Sequence, residues 1–309
     1  MAIKNFSFKQ IEEKANEIRK ILILWQEEST ELELEEYRIF LREHKFAPLI
    51  GTICDEQINA DDAWKFPHWL YVEMKKDGME FGIKDLLKQN FRNHLQKYLE
   101  GKWPKRMDAQ SRERYLNKIS RFLQDALKYF DSIDKNPVNL FENRPYSALE
   151  VYFTLRVIPG IGAKKANMLV RDFINDSRSE KFESDWFYQI KKENPLFKVT
   201  NENLLDMPID VHVVKVFNRL FGRQFADWRQ ELLAHVQDII AFSKVVNPEF
   251  PAQLDAIFWN IGKYYCHDYE PKCQECCLRI VCEVGKKQSA KYNENSKTSR
   301  LVPYDKDQS

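Results

Sequence analysis

Glycine is scarce in this chain, nine residues in 309, and long stretches follow helical rather than alternating periodicity, so an all-α protein is expected. Long apolar runs are missing too. None approaches the ~20 residues that span a bilayer, and Met1 to Glu13 carries charge without the apolar core of a signal peptide. A cytoplasmic location, or a nuclear one in a eukaryote, is expected, with no membrane partner. Cysteine is limited to six residues, which in a reducing compartment serve as free thiols or metal ligands rather than disulfides. Net charge is almost absent: +1 overall, without the basic excess of many nucleic-acid-binding domains. Charge is nevertheless segregated. Between Gly101 and Lys128 eight Lys and Arg stand against three Asp and Glu, whereas Glu27 to Glu36 holds six glutamates and no basic residue.

Core-forming residues are plentiful. The sequence is 43% hydrophobic with 21 Phe, 13 Tyr and 7 Trp, enough for one large or two moderate domains. Ile11, Ala15, Ile18, Leu22 and Trp25 share one face of an N-terminal amphipathic helix, and the acidic run after them reads as a solvated helix face. Phe46 to Cys54 forms a further helix that Asp55-Glu56-Gln57 ends. Trp64, Phe66 and Trp69 follow and are assigned to the core rather than to a base pocket. A basic turn, Gly101 to Arg106, leads into a helix with Tyr115, Ile119, Phe122, Leu123 and Ala126 as its buried stripe. Its Arg112, Arg114, Lys118 and Arg121 either track phosphates or form a plain solvated face.

Three features carry chemistry. The first is Val157-Ile158-Pro159-Gly160-Ile161-Gly162-Ala163-Lys164-Lys165, a Gly-rich turn opening a helix, with Tyr146 to Val157 read as the helix before it. Amides at such a turn, unobstructed by side chains and next to the positive end of a helix, can seat a phosphate. Second comes Met207-Pro208-Ile209-Asp210-Val211-His212, an Asp at the mouth of another helix, where an N-cap is the plain structural role. The third is Cys266-x6-Cys273-x2-Cys276-x5-Cys282, four thiols within 17 residues. Zinc can take four thiolates, but zinc ribbons pair Cys-x2-Cys knuckles across a longer loop.

In this order and spacing the three features resemble the endonuclease III family of helix-hairpin-helix DNA glycosylases, over roughly residues 46 to 285. The resemblance implies a two-domain, all-α fold with a C-terminal iron-sulfur loop. Its expected parts are an N-terminal segment 1–45 packing with the cluster domain, a contiguous helical domain 46–206, a cluster domain 207–285 and a disordered tail 286–309. It further implies a 4Fe-4S cluster on Cys266, Cys273, Cys276 and Cys282, with Lys272 of that loop approaching phosphate. Gly160, Ile161 and Gly162 would hold a DNA phosphate, and Gln57 would fill the gap left by an everted nucleotide. Lys164, two residues after the second glycine, matches the Schiff-base nucleophile of the bifunctional members, and Asp210 the catalytic carboxylate. An ammonium in that first turn opposes the helix dipole, and partial burial would further disfavour its charged form, as a nucleophilic amine requires. Lys165 points about 100° away round the helix. The implied activity is excision of a damaged or modified base from double-stranded DNA by a monomer, with AP lyase activity. A monofunctional glycosylase using Asp-activated water, or a non-catalytic lesion-binding protein, remains open. One departure stands out: Lys164 and Asp210 are 46 positions apart, and Asn175 to Asp206 holds an extra segment with Trp186, Phe187 and Phe197. A place beside the active-site cleft, where it narrows substrate choice or contacts a partner, or a decorative surface role, are the readings open to it.

Overall fold

A computed structural model describes residues 8–25, 35–178, 184–222, 228–267 and 270–288. The acidic run, apart from Glu35 and Glu36, and the tail beyond residue 288 lie outside the described residues. In chain order the elements are α1 (Phe8–Trp25), α2 (Glu36–Glu43), α3 (Ala47–Cys54), α4 (Ala60–Lys76), α5 (Ile83–Leu86), α6 (Phe91–Tyr98), α7 (Ala109–Ser132), β1 (Pro145–Ser147), α8 (Ala148–Arg156), α9 (Ala163–Arg178), α10 (Asp185–Glu193), β2 (Lys198–Thr200), α11 (Val211–Leu220), α12 (Trp228–Val246) and α13 (Leu254–Tyr264). The fold is all-α apart from one pair of three-residue parallel strands, in which Tyr146 faces Val199. No helix among the described residues is long and apolar enough to cross a membrane. The chain divides into two compact units, residues 30–205 and residues 1–29 with 206–309.

In the 30–205 unit, α3 is buried along its whole length and packs on α4 and α7. The α7 stripe is buried as the periodicity requires, at Tyr115, Ile119, Leu123 and Ala126, with Leu116, Leu127 and Phe130 completing it. Phe122 is half-buried instead, with its Cβ against the Gly160 turn. Asp108 caps α7 by accepting from the Ser111 amide at 2.7 Å. Tyr146 and Ser147, read above as helix, belong to β1; the helix starts one residue later, where Ser147 and Glu150 form a reciprocal capping box.

The extra segment does not decorate the surface. Trp186, Phe187, Ile190 and Phe197 are fully buried, and Phe197 sits in an aromatic cluster with Phe141, Tyr146, Phe173 and Phe187. Asp185 at the start of α10 is anchored by Arg42 of α2 at 3.0 Å. Burial raises its carboxyl pKa, while Arg42 and Arg38 oppose that shift.

The other unit is a core of α1, α11, α12 and α13, with Ala15 and Ile18 of α1 buried as expected among Val213, Phe217, Leu220, Phe242 and Phe258. Lys14 of α1 donates to the Val281 carbonyl at 2.7 Å and pairs with Glu283 at 2.9 Å, tying the helix to the end of the cysteine loop. Arg19 Nε donates to the Val246 carbonyl at 2.6 Å, at the end of α12.

Candidate active site

The hairpin between α8 and α9 turns at Gly160, whose φ of 86° lies in the left-handed region that glycine adopts without strain. Space demands glycine there as well. A Cβ would stand 3.0 Å from the Phe122 Cβ and 3.2 Å from two carbons of Ile53. Ile158 and Ile161 are buried and pin the turn, while the Ile161 amide donates to the Ile158 carbonyl at 3.1 Å and Arg156 donates to the Ile161 carbonyl at 2.8 Å. Gly162 is exposed, with nothing within 4 Å of where a Cβ would be, and its carbonyl accepts from Ala166 as α9 begins. With the Ile161 amide engaged inside the turn, the donors left for an incoming anion are those flanking it and those of the first turn of α9, which have no acceptor within the helix.

Two adjacent lysines follow, in opposite environments. Lys164 is exposed, so the partial burial expected for it is not found. Lys165 carries that burial instead: it is 7% exposed, donates to the Ile53 carbonyl at 2.8 Å and lies 3.9 Å from a Glu56 oxygen. Desolvation lowers its pKa from the ordinary 10.5, opposed by Glu56. The residues themselves hold the signal that separates the two. Lys165 is followed along its face of α9 by Leu169 and Phe173, whereas Lys164 is followed by Met168 and the charged Asp172.

Gln57 stands at the end of α3, exposed, with φ of 65°. A left-handed residue that is not glycine is uncommon, and here the turn around it is held firmly. Tyr115 donates its hydroxyl to the Cys54 carbonyl at 2.9 Å, and Glu56 forms an ion pair with Lys118. Neither the Tyr115 nor the Lys165 contact was foreseen from sequence. Among the basic residues of α7, Arg112 donates to the Met107 carbonyl at 3.0 Å and Arg121 lies over the Phe122 ring. Phe66 is fully buried and stacks with the half-buried Trp69; Trp64 lies against Gly51. Phe66 and Trp69 also meet Tyr98 of α6, so Phe66 is a core residue and the two tryptophans are half-buried at its edge. Cys54 is a buried core thiol, its pKa pushed up to about 12 by desolvation.

Asp210 belongs to the other unit. It is the N-cap of α11, its Oδ1 accepting from the His212 amide at 2.9 Å and the Val213 amide at 3.0 Å, so the carboxylate is fixed where a helix favours negative charge. The His212 ring lies edge-on to Trp259 at 6.0 Å, and Gly262 of α13 comes so near that a Cβ would stand 2.6 Å from the His212 Cβ.

Cys266, Cys273, Cys276 and Cys282 line one small cavity of about 20 Å³, with Arg219, Tyr265 and Leu278 among the other walls. Arg219 donates to the Cys266 sulfur at 3.2 Å. Burial pushes the Cys273 thiol up to about 11 and raises Cys266 and Cys282 as well. Among the described residues no group of three His, Cys, Asp or Glu side chains is already arranged to hold a metal ion. The donor set fits an iron-sulfur cluster in type and number: four thiols on one cavity. Cys277 is half-buried and does not line it. Lys272 is exposed, and Arg279 donates to the Gln274 carbonyl at 3.1 Å.

In fold the chain resembles the helix-hairpin-helix DNA glycosylases. It is similar to two structures of endonuclease III, a trapped covalent intermediate with DNA containing an estranged adenine and a non-covalent DNA complex. Each has a TM-score of 0.51 and 16% identity, and all of the solved chain aligns with 92% and 93% of this one. A thermostable thymine-DNA glycosylase aligns at 13% identity and a TM-score of 0.48, over 90% of this chain and 98% of its own. No protein-family model matches the sequence, and no curated protein is similar to it.

Proposed function

We propose that the protein is a DNA glycosylase that excises a damaged or modified base from double-stranded DNA as a monomer, with an AP lyase step carried by Lys164. The observation that carries this reading is the hairpin: in a chain of endonuclease III fold, Gly160 and Gly162 lead directly into Lys164 at the first turn of α9. Amides around Gly162 hold a phosphate of the strand, and the nucleotide is rotated out of the duplex, since a stacked base is out of reach. Gln57 fills the vacated space. The Lys164 amine attacks C1′, the bond from C1′ to the base breaks, and the base leaves with a proton. Asp210 stabilises the positive charge that develops at C1′. Opening of the sugar ring then gives a Schiff base; loss of a C2′ proton expels the 3′ phosphate and nicks the strand, and water hydrolyses the imine to return Lys164. Cys266, Cys273, Cys276 and Cys282 would hold a 4Fe-4S cluster, which would supply a rigid cross-link of their loop. Lys272 beside it would meet phosphate.

Borohydride trapping tests the reading, on duplexes bearing oxidised pyrimidines, uracil, 8-oxoguanine, alkylated purines or abasic sites. Wild-type protein should form a covalent complex on one lesion and Lys164→Gln should form none, while Asp210→Asn should slow base release with DNA binding kept. Wild-type turnover in either variant would remove that residue from its role. The exposure of Lys164 favours a second reading, a monofunctional enzyme in which Asp210 activates water. Free base released without a nick identifies it. A brown protein absorbing near ~400 nm would establish the cluster.

A further inference from the structure

Lys165 is absent from the mechanism above, yet it is the most deeply placed lysine near the hairpin. Its ammonium caps the last turn of α3 through the Ile53 carbonyl, and Tyr115 caps the next carbonyl, Cys54. Carbonyls at a helix C-terminus have no intrahelical donor, so these two buried side chains supply what the helix cannot. Ile53 is gripped from a second direction as well, because its side chain is what a Cβ on Gly160 would strike. Glu56, the residue before Gln57, is drawn toward Lys165 and paired with Lys118. The turn carrying Gln57 and the hairpin carrying Lys164 are thus fastened to one another within the same unit.

We propose that Lys165 is a positioning residue: by fastening the end of α3 to the start of α9, it sets where Gln57 enters the duplex once the hairpin holds a phosphate. The role rests on the excision reading, in which Gln57 fills the gap. It also explains how a residue that is not glycine keeps a left-handed backbone at an exposed turn. Lys165 touches neither the sugar nor the base and acts through Gln57.

The test compares Lys165→Met, which keeps the apolar stem, with Lys165→Arg and Tyr115→Phe. Duplex DNA with 2-aminopurine beside an abasic site reports unstacking by fluorescence, and borohydride trapping on abasic single strands reports chemistry that needs no extrusion. Lys165→Met should bind duplex as wild type does, lose the fluorescence rise, and trap duplex about tenfold more slowly, as for one lost buried hydrogen bond. Single-strand trapping should stay within about threefold of wild type, and Lys165→Arg should restore duplex trapping to the same range. In a Gln57→Ala background, Lys165→Met should add less than about twofold, since both changes act at one step. Tyr115→Phe should give the same pattern with a smaller loss, and it carries the test if Lys165→Met does not fold. Equal losses on duplex and single strand, additivity with Gln57→Ala, or no loss at all would overturn the proposal. Should wild type trap no DNA, the lyase step assigned to Lys164 fails, but the fluorescence rise and its loss in Lys165→Met still decide the role of Lys165.

Discussion

Replacing Gly262 with Ala tests the packing that sets Asp210 in place. The added Cβ would stand 2.6 Å from the His212 Cβ, 2.8 Å from its carbonyl oxygen and 2.9 Å from its Cα. Carbon contacts are favourable at about 3.5–4.0 Å, so α13 and α11 must part by about 1 Å. None of the three atoms is the end of a flexible side chain. Relief therefore moves backbone, in the residue directly after the Asp210–Val211 start of α11. Overpacking of a tight core costs about 1–3 kcal/mol, and contact with rigid backbone puts this case at the upper end, about 3 kcal/mol. That is roughly a 150-fold shift in the unfolding equilibrium of this unit. Hydrogen exchange of peptides covering 211–220 and 254–264, with and without urea, measures it locally where global unfolding would mix two units. Exchange should quicken in both peptides and stay unchanged in α3 and α7. If Gly262→Ala protects those peptides as well as glycine does, α11 and α13 are not packed as described, and the placement of Asp210 by that packing falls with them.

Gly162→Ala is the counterpart, since the site is open and the backbone ordinary. Stability should stay within about 0.5 kcal/mol, while duplex binding weakens because the methyl group obstructs amides meant for phosphate; unchanged affinity by fluorescence anisotropy would remove Gly162 from the DNA contact. Trp186→Ala should destabilise the 30–205 unit by about 3–5 kcal/mol in urea unfolding, whereas an ornamental segment would tolerate it. The lowered pKa of Lys165 gives a pH signature. Between that folded value and the ordinary 10.5 the unfolded chain holds a proton the folded chain has released, so stability rises with pH across the window. Subtracting the profile of Lys165→Met should isolate this rise; parallel profiles would mean Lys165 is not desolvated.

What was legible in the sequence had its causes close together. Gly160 announces a turn because the backbone there needs a residue without a side chain, and Asp210 announces a cap because its acceptor serves amides two and three residues on. Four cysteines in a short span likewise point to one centre. Contacts between distant residues left no such trace. Lys165 and Ile53 are 112 positions apart, Tyr115 and Cys54 61. Three-residue strands such as β1 and β2 are too short to show a period of two, so Tyr146 passed for helix.

The extra segment shows how those distant contacts change its meaning. Its aromatic residues invite a role in substrate choice when only their type is known, but Trp186, Phe187 and Phe197 are buried against Phe173 of α9. Meanwhile Thr200 donates to the Tyr146 carbonyl at 3.0 Å, immediately before α8. Both helices of the hairpin therefore lean on the segment, α8 through β1 and α9 through its own buried face. If the proposed excision activity holds, an insertion placed this way would influence DNA through the rigidity of the hairpin, so loosening Trp186 should weaken phosphate anchoring on every duplex alike, without shifting preference from one lesion to another.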